Sequence, residues 1–262
     1  MYIKKVFLWA ALALTATATL TSCEDILGHW EKPTPATGPI IIDLSTITTD
    51  YTATNGETLS GTLAGNVKIS IAAGATITLK DVTINGTNSD DCQWAGISCA
   101  GDATIILEGT NTVKGFFKNY PGIYVPSGNT LTIQGTGSLT AISNGGGAGI
   151  GGGFNASCGN IEISSGNITA EGGMYAAGIG GVYGASCGTI SISGGTVTAT
   201  GGMYAAGIGG GYDASCGTIT ITSGVTSVKA TKGEYATNSI GAGEDRTCGT
   251  VTIEAGANVT QN

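Results

Sequence analysis

The chain has 262 residues, a length that fits one domain, with 10 Lys+Arg against 18 Asp+Glu and a formal net charge of −8. That acidity disfavours nucleic acid as a partner. Only 11% of residues are charged and 46 are Gly, yet the glycines punctuate short β-branched runs, a pattern that argues against a disordered low-complexity chain.

Residues 1–22 read as a signal peptide, because Lys4 and Lys5 precede the apolar run Val6 to Leu20. The run is too short to span a bilayer. Its end, Leu20-Thr21-Ser22-Cys23, resembles the lipobox of bacterial lipoproteins. The resemblance implies cleavage before Cys23 and acylation of its thiol; an ordinary cleavage site is the alternative. Each buried methylene of an acyl chain contributes ~0.8 kcal/mol, so more than one chain anchors a protein stably to a membrane.

Residues 23–38 then form the lipidated Cys and a flexible tether, polar and without periodicity, with Pro33 and Pro35. Glu24-Asp25 resembles the signal that sends some lipoproteins to the outer face of the outer membrane, which implies a cell-surface location. A solvated linker is the alternative.

Residues 39–262 read as a single all-β domain. Val67-Lys68-Ile69-Ser70-Ile71 and Thr76-Ile77-Thr78-Leu79 alternate in steps of two, as half-buried strands do. Ile40 to Leu79 is expected to form a cap and the first coils. The domain also carries Glu57-Thr58-Leu59-Ser60-Gly61-Thr62-Leu63, Ile77-Thr78-Leu79-Lys80-Asp81-Val82-Thr83-Ile84 and Ile105-Ile106-Leu107-Glu108-Gly109-Thr110-Asn111-Thr112-Val113. Gly128-Asn129-Thr130-Leu131-Thr132-Ile133 and Gly137-Ser138-Leu139-Thr140-Ala141 follow. Together, from Glu57 to Gly152, these segments resemble a family of right-handed parallel β-helix carbohydrate-binding domains. The resemblance implies a pectate-lyase-like fold, binding of acidic or β-linked polysaccharides, and calcium sites.

From Ala148 the chain repeats itself. Ala148-Gly149-Ile150-Gly151-Gly152 recurs at Ala177 and Ala206, so the period is 29 residues. Ser239-Ile240 opens a decayed copy, and Gly96-Ile97 and Gly122-Ile123 extend the series upstream at spacings of 26 and 27. Each period holds three short runs, such as Ala177-Gly178-Ile179, Thr189-Ile190-Ser191-Ile192 and Thr196-Val197-Thr198-Ala199. A single coil cannot bury such strands, whereas stacked coils give every strand a neighbour ~4.8 Å away and a continuous core. A parallel β-helix (β-solenoid) with three strands per ~29-residue rung is expected, its right-handedness resting on the resemblance. With no helix over the last coil, the terminal rung is an open edge where self-association is one outcome.

Cys158, Cys187, Cys216 and Cys248 each follow their anchor Ile by eight residues and form one ladder. Small thiols packing as apolar residues are the favoured reading over bridges between coils. Cys92 and Cys99 are the better disulfide candidate.

A lyase needs a base, yet the sole His, His29, lies in the tether and the only Arg is Arg246. Hydrolysis needs clustered carboxylates, and these concentrate in one column, Asn155, Gly184, Asp213 and Asp245, with Glu244 beside the last. A solvated turn, a calcium site at Asp213, Asp245 and Glu244, and catalysis compete there. No catalytic residue is assigned.

Two aromatic columns suit a sugar polymer, whose apolar ring faces stack on flat side chains. One is Phe154, Tyr183 and Tyr212; the other is Trp94, Tyr120, Tyr175, Tyr204 and Tyr235. Rings packing on one another to cover Gly-rich corners are the alternative. The expectation is a surface-anchored, non-catalytic polysaccharide-binding lipoprotein, with Phe154, Tyr183, Tyr212, Tyr175 and Tyr204 as ligand contacts and calcium as an optional ion. A structural stalk or adhesin with a protein partner is the second expectation, and a weak polysaccharide hydrolase or lyase the third.

Overall fold

Alternation of Ile, Val or Ala with Ser or Thr turns every second side chain inward, and the computed structural model stacks those inward positions column on column. It describes residues 38–262 except Phe154 and Asp245. The signal peptide, Cys23 and the tether to Thr37 lie outside the described residues. Pro39–Asn262 forms one compact unit, an all-β parallel solenoid whose coils carry three strands each.

The coil of the second long copy illustrates the plan, with strands Ile179–Gly180, Ile190–Ile192 and Thr196–Thr200. Strands of the first kind stack into an eight-stranded sheet, here called the anchor face. The other two kinds belong to one 15-stranded sheet. They join through Ala75–Ile84, a strand that turns the corner at Asp81 (φ 56°) and pairs with both Ala103–Glu108 and Thr110–Lys114.

The anchor column is longer than its Gly-Ile signature. Ile97, Ile123, Ile150, Ile179, Ile208 and Ile240 stand in register as expected, and Ile69 and Tyr51 precede them in the same column. On the second face Ile77, Ile105, Ile133, Ile163, Ile192 and Ile221 are stacked and buried. On the third, Leu139, Ile168, Val197 and Val228 do the same. Burial of a full aliphatic side chain contributes about 1.5–3 kcal/mol, so these columns are the main source of stability. The first coil is closed by the strand Ile40–Asp43 and the short 3-10 turn Leu44–Thr46, whose Leu44 is fully buried. The strands Val251–Ile253 and Val259–Gln261 pair on one side only.

Glycine at the second anchor position has a steric cause. Gly151, Gly180 and Gly209 have φ of 141°, 134° and 130°. A Cβ on Gly180 would lie 2.0 Å from the carbonyl oxygen of Gly209 in the next coil. The coils therefore stack backbone on backbone at this corner.

The cysteine expectations are overturned. Cys158 is bonded to Cys187 and Cys216 to Cys248, each pair with Cα atoms 4.5 Å apart. Cys92 and Cys99 are free, buried thiols. Direct register in adjacent coils, as in the parallel bridges Cys187 to Cys216 and Cys216 to Cys248, brings ladder cysteines within disulfide reach. Each sulfur bonds once, so four ladder residues give two bridges. Cys99 instead points into the core, where burial pushes its thiol up to about 12.

Candidate ligand-binding surface

After the anchor strands of the three long copies the chain doubles back sharply. In the second long copy, the N–H and carbonyl of Val182 exchange hydrogen bonds with those of Ala185 at 3.1 Å, and Tyr183 projects from the tip. The residue after the aromatic sits in the left-handed region: Asn155 has φ 59°, Gly184 61° and Asp213 51°. Asn, Gly and Asp are the residues that adopt this conformation at least cost. Backbone geometry therefore explains why an acid occupies position 213.

The Asp213 carboxylate also has a partner. Its Oδ1 accepts a hydrogen bond from Arg246 Nε at 2.6 Å, with both side chains about half exposed. Such a pair contributes at most about 1 kcal/mol, yet it turns a carboxylate oxygen toward the chain's one guanidinium. Glu244 is partly exposed and Asp245 lies outside the described residues. Among the described residues, no group of three or more His, Cys, Asp or Glu side chains is arranged to hold a metal.

The doubling back brings the two expected aromatic columns together. Tyr175, four residues before its anchor, and Tyr183, four after, meet edge to face with centroids 5.8 Å apart. The N–H of Tyr212 donates to the Tyr175 carbonyl at 3.0 Å, tying the tip of one coil to the corner of the coil below. Tyr175 stacks on Tyr204 at 5.3 Å, Tyr204 on Tyr235 at 5.1 Å, and Tyr183 on Tyr212 at 5.6 Å. Tyr204 and Tyr212 complete the cluster edge to face at 5.3 Å. Two rows thus fuse into one strip of five tyrosines parallel to the stacking direction. Phe154, expected to head one row, lies outside the described residues.

Stacking changes which rings can meet a ligand. Rings within a row cover one another's faces, as the covering alternative anticipated, and each such pair contributes about 0.5–1.5 kcal/mol. The most open rings are Tyr235, 52% exposed, and Tyr183, 37% exposed, with Met174 and Met203 beside the strip at 50% and 40%. Tyr175, Tyr204 and Tyr212 are half-buried supports. Tyr235, named only as a column member in the sequence, is therefore the most accessible ring. Its signal was its place five residues before the Ile240 anchor, one more than in the regular copies.

Trp94 and Tyr120 stand apart from this strip. They precede their anchors by three residues, and the intervening coil carries Asn144 to Gly147 in place of an aromatic. Trp94 packs against Phe116 at 5.6 Å and Tyr120 against Phe117 at 6.5 Å.

The fold and this surface define a repeat protein of the parallel β-solenoid class. The family model described as beta helix repeat matches residues 131–154, 161–185 and 190–212, stretches that include Tyr175, Tyr183, Tyr204 and Tyr212 but not Tyr235. No curated protein and no solved structure matches the chain.

Proposed function

We propose that the chain is a surface-anchored, non-catalytic polysaccharide-binding lipoprotein, held to the outer membrane through Cys23. The observation that carries the reading is the tyrosine strip, whose Tyr183 and Tyr235 are exposed beside Met174 and Met203, while the other exposed large apolar side chains among the described residues, Ile40, Ile41 and Val251, lie in the end coils. Contiguous exposed apolar surface marks a binding site, and phenol rings offer both an apolar body and a hydroxyl, as sugars require. Coil stacking sets the strip in ~4.8 Å steps, so it is linear, as a polymer is. The two disulfides fit an oxidising compartment, and Leu20-Thr21-Ser22-Cys23 supplies the anchor.

In this reading Tyr183 and Tyr235 touch the glycan, while Tyr175, Tyr204 and Tyr212 hold them in place. Calcium at Asp213, Asp245 and Glu244 is an optional bridge to an acidic glycan, in competition with Arg246 for Asp213. Pull-down of the purified chain on insoluble polysaccharides tests the reading. The double variant Tyr183→Ala/Tyr235→Ala is expected to lower binding about tenfold, and unchanged binding would refute the strip as the contact. Adding a calcium chelator separates the ion from the rings: binding that persists assigns it to the rings alone.

A second reading, a structural stalk that joins other chains end to end, draws on the one-sided pairing of Val251–Ile253 and Val259–Gln261. Concentration-dependent association in sedimentation without any sugar is its expected sign, and a monomer at every concentration opposes it.

A further inference from the structure

The cysteine ladder allows one more pairing than it holds. Cys158 is bonded to Cys187 and Cys216 to Cys248, but the middle pair, Cys187 and Cys216, stands in the same backbone relation as the bonded ones. The N–H of Gly188 donates to the Cys158 carbonyl at 3.1 Å, that of Gly217 to the Cys187 carbonyl at 3.0 Å, and that of Gly249 to the Cys216 carbonyl at 2.9 Å. Three successive steps of the ladder therefore repeat one pairing, with Cys187 and Cys216 in parallel register. Neighbouring strands at ~4.8 Å bring Cα atoms within the roughly 4.4–6.8 Å that a disulfide spans. The side chains share one direction: Cys158, Cys187 and Cys216 are buried in a single core cluster, and Cys248 packs against it.

Loop length does not separate the three positions. Cys187 and Cys216 lie one 29-residue period apart, so a bridge between them closes the same loop as Cys158 with Cys187, close to the 32 residues of Cys216 with Cys248. Number selects the observed pairs. Bridges at the two ends use all four sulfurs, whereas a middle bridge uses two and leaves Cys158 and Cys248 as thiols. Once one bridge is reduced that advantage disappears, because either arrangement then holds one bridge and two thiols.

Exposure and order set the route. Cys248 is partly exposed between exposed Thr247 and Gly249, whereas the other three are buried. A thiolate from solvent therefore meets the Cys216–Cys248 bridge first. Attack on a disulfide runs in line with the bond that breaks, and Cys216 stands on the side of Cys187 opposite Cys158.

We propose that the ladder is a site of thiol–disulfide exchange with an external dithiol, after which the remaining bridge migrates by one coil. One thiolate of the dithiol attacks Cys248 Sγ, forming a mixed disulfide and releasing Cys216 as a thiolate. The second thiol of the dithiol loses its proton and closes its own disulfide, and Cys248 leaves and takes a proton. Cys216 then attacks Cys187 Sγ, the Cys187–Cys216 bond forms, and Cys158 leaves and takes a proton. The dithiol gives up two electrons and one ladder bridge accepts them; the migration itself consumes none. A reduction made at Cys248 is thereby registered as a thiol at Cys158, three coils away, while one bridge is kept throughout. This chemistry does not depend on the carbohydrate reading.

The test treats the native full chain with enough dithiothreitol to reduce one bridge, quenches with acid, and blocks thiols with N-ethylmaleimide in denaturant. Cleavage after Phe154, Tyr175, Tyr183, Tyr204 and Tyr212 puts each ladder cysteine on its own peptide for mass spectrometry. A Cys187–Cys216 bridge is expected, within about tenfold of the Cys158–Cys187 bridge, with Cys158 and Cys248 blocked in the same chains. Migration is expected to quicken with pH, because the thiolate is the attacking form. Cys248→Ser isolates the second step without any reductant: Cys216 is then a thiol beside the Cys158–Cys187 bridge, and both bridges are expected in that variant. A Cys187–Cys216 bridge below a tenth of the Cys158–Cys187 bridge in either chain overturns the proposal. So do bridges from the ladder to Cys92 or Cys99, which would place the exchange in unfolded chains.

Discussion

Asn111 is an amide sealed in the core, and the three hydrogen bonds of its side chain all go to backbone. Its Oδ1 accepts from Val82 N at 3.0 Å, and its Nδ2 donates to the carbonyls of Glu108 and Ser138 at 2.9 Å each, joining three successive coils. The column continues as Leu139 and Ile168, so only this coil needs a polar group there. Removing it strands the buried Val82 N–H at about 1–3 kcal/mol and frees two part-buried carbonyls that add to the cost. Asn111→Ala is expected to cost about 3 kcal/mol or more in urea unfolding; a loss below about 1 kcal/mol would mean that water replaces the amide.

Tyr51 offers a pH signature at the same scale. Its hydroxyl donates to Glu57 Oε2 at 2.8 Å. Burial first, then the hydrogen bond and charge of Glu57, push the phenol up to about 12. The unfolded phenol titrates near 10, so the fold favours the neutral form. This contribution is complete below about pH 10 and is lost as pH rises through about 12. Stability measured across that window is expected to fall more steeply for the parent than for Tyr51→Phe.

At the scale of the element, the corner glycines and the cysteine ladder decide whether coils stack. Gly180→Ala puts a methyl against the Gly209 carbonyl and asks Ala for a positive φ. It is expected to destabilise by several kcal/mol, on the order of 3, read as a fall in melting temperature. The disulfides close loops of 29 and 32 residues. The chain-entropy relation gives about 3.6 kcal/mol for such a loop, so Cys158→Ser is expected to lose much of that. Iodoacetamide should leave Cys92 and Cys99 unlabelled in the native chain and modify them on unfolding, whereas rapid native labelling would contradict their burial.

These elements also show what could be read from residue order. The period and the anchors were visible because identical residue types recur at identical spacing. The bridges were not, because a column of Cys at fixed spacing describes small apolar packing and disulfides equally well; the 4.5 Å Cα separation distinguishes them. The aromatic columns were counted by their distance from the anchor, which places residues along the chain but not around a corner. The hairpin at Val182 and Ala185 folds Tyr183 back onto Tyr175. The column of Asp213 reads both as a ligand set and as a turn, because a left-handed backbone and a metal site favour overlapping residue types.

For the whole molecule, a net charge of −8 and a Ser- and Thr-rich exterior leave few adhesive surfaces. The tyrosine strip and Trp94 stand on different coils. Likeness to the beta helix repeat reaches the solenoid and no further, since coil geometry recurs regularly while the aromatic positions shift where the regularity breaks, as at Trp94 and Tyr235.

The most direct measurement is a glycan array probed with the purified chain alongside Tyr183→Ala/Tyr235→Ala and Trp94→Phe variants. Selective binding to polysaccharides, reduced about tenfold in the tyrosine variant, is the expected result. A native, folded chain that binds no glycan on the array would contradict the carbohydrate reading.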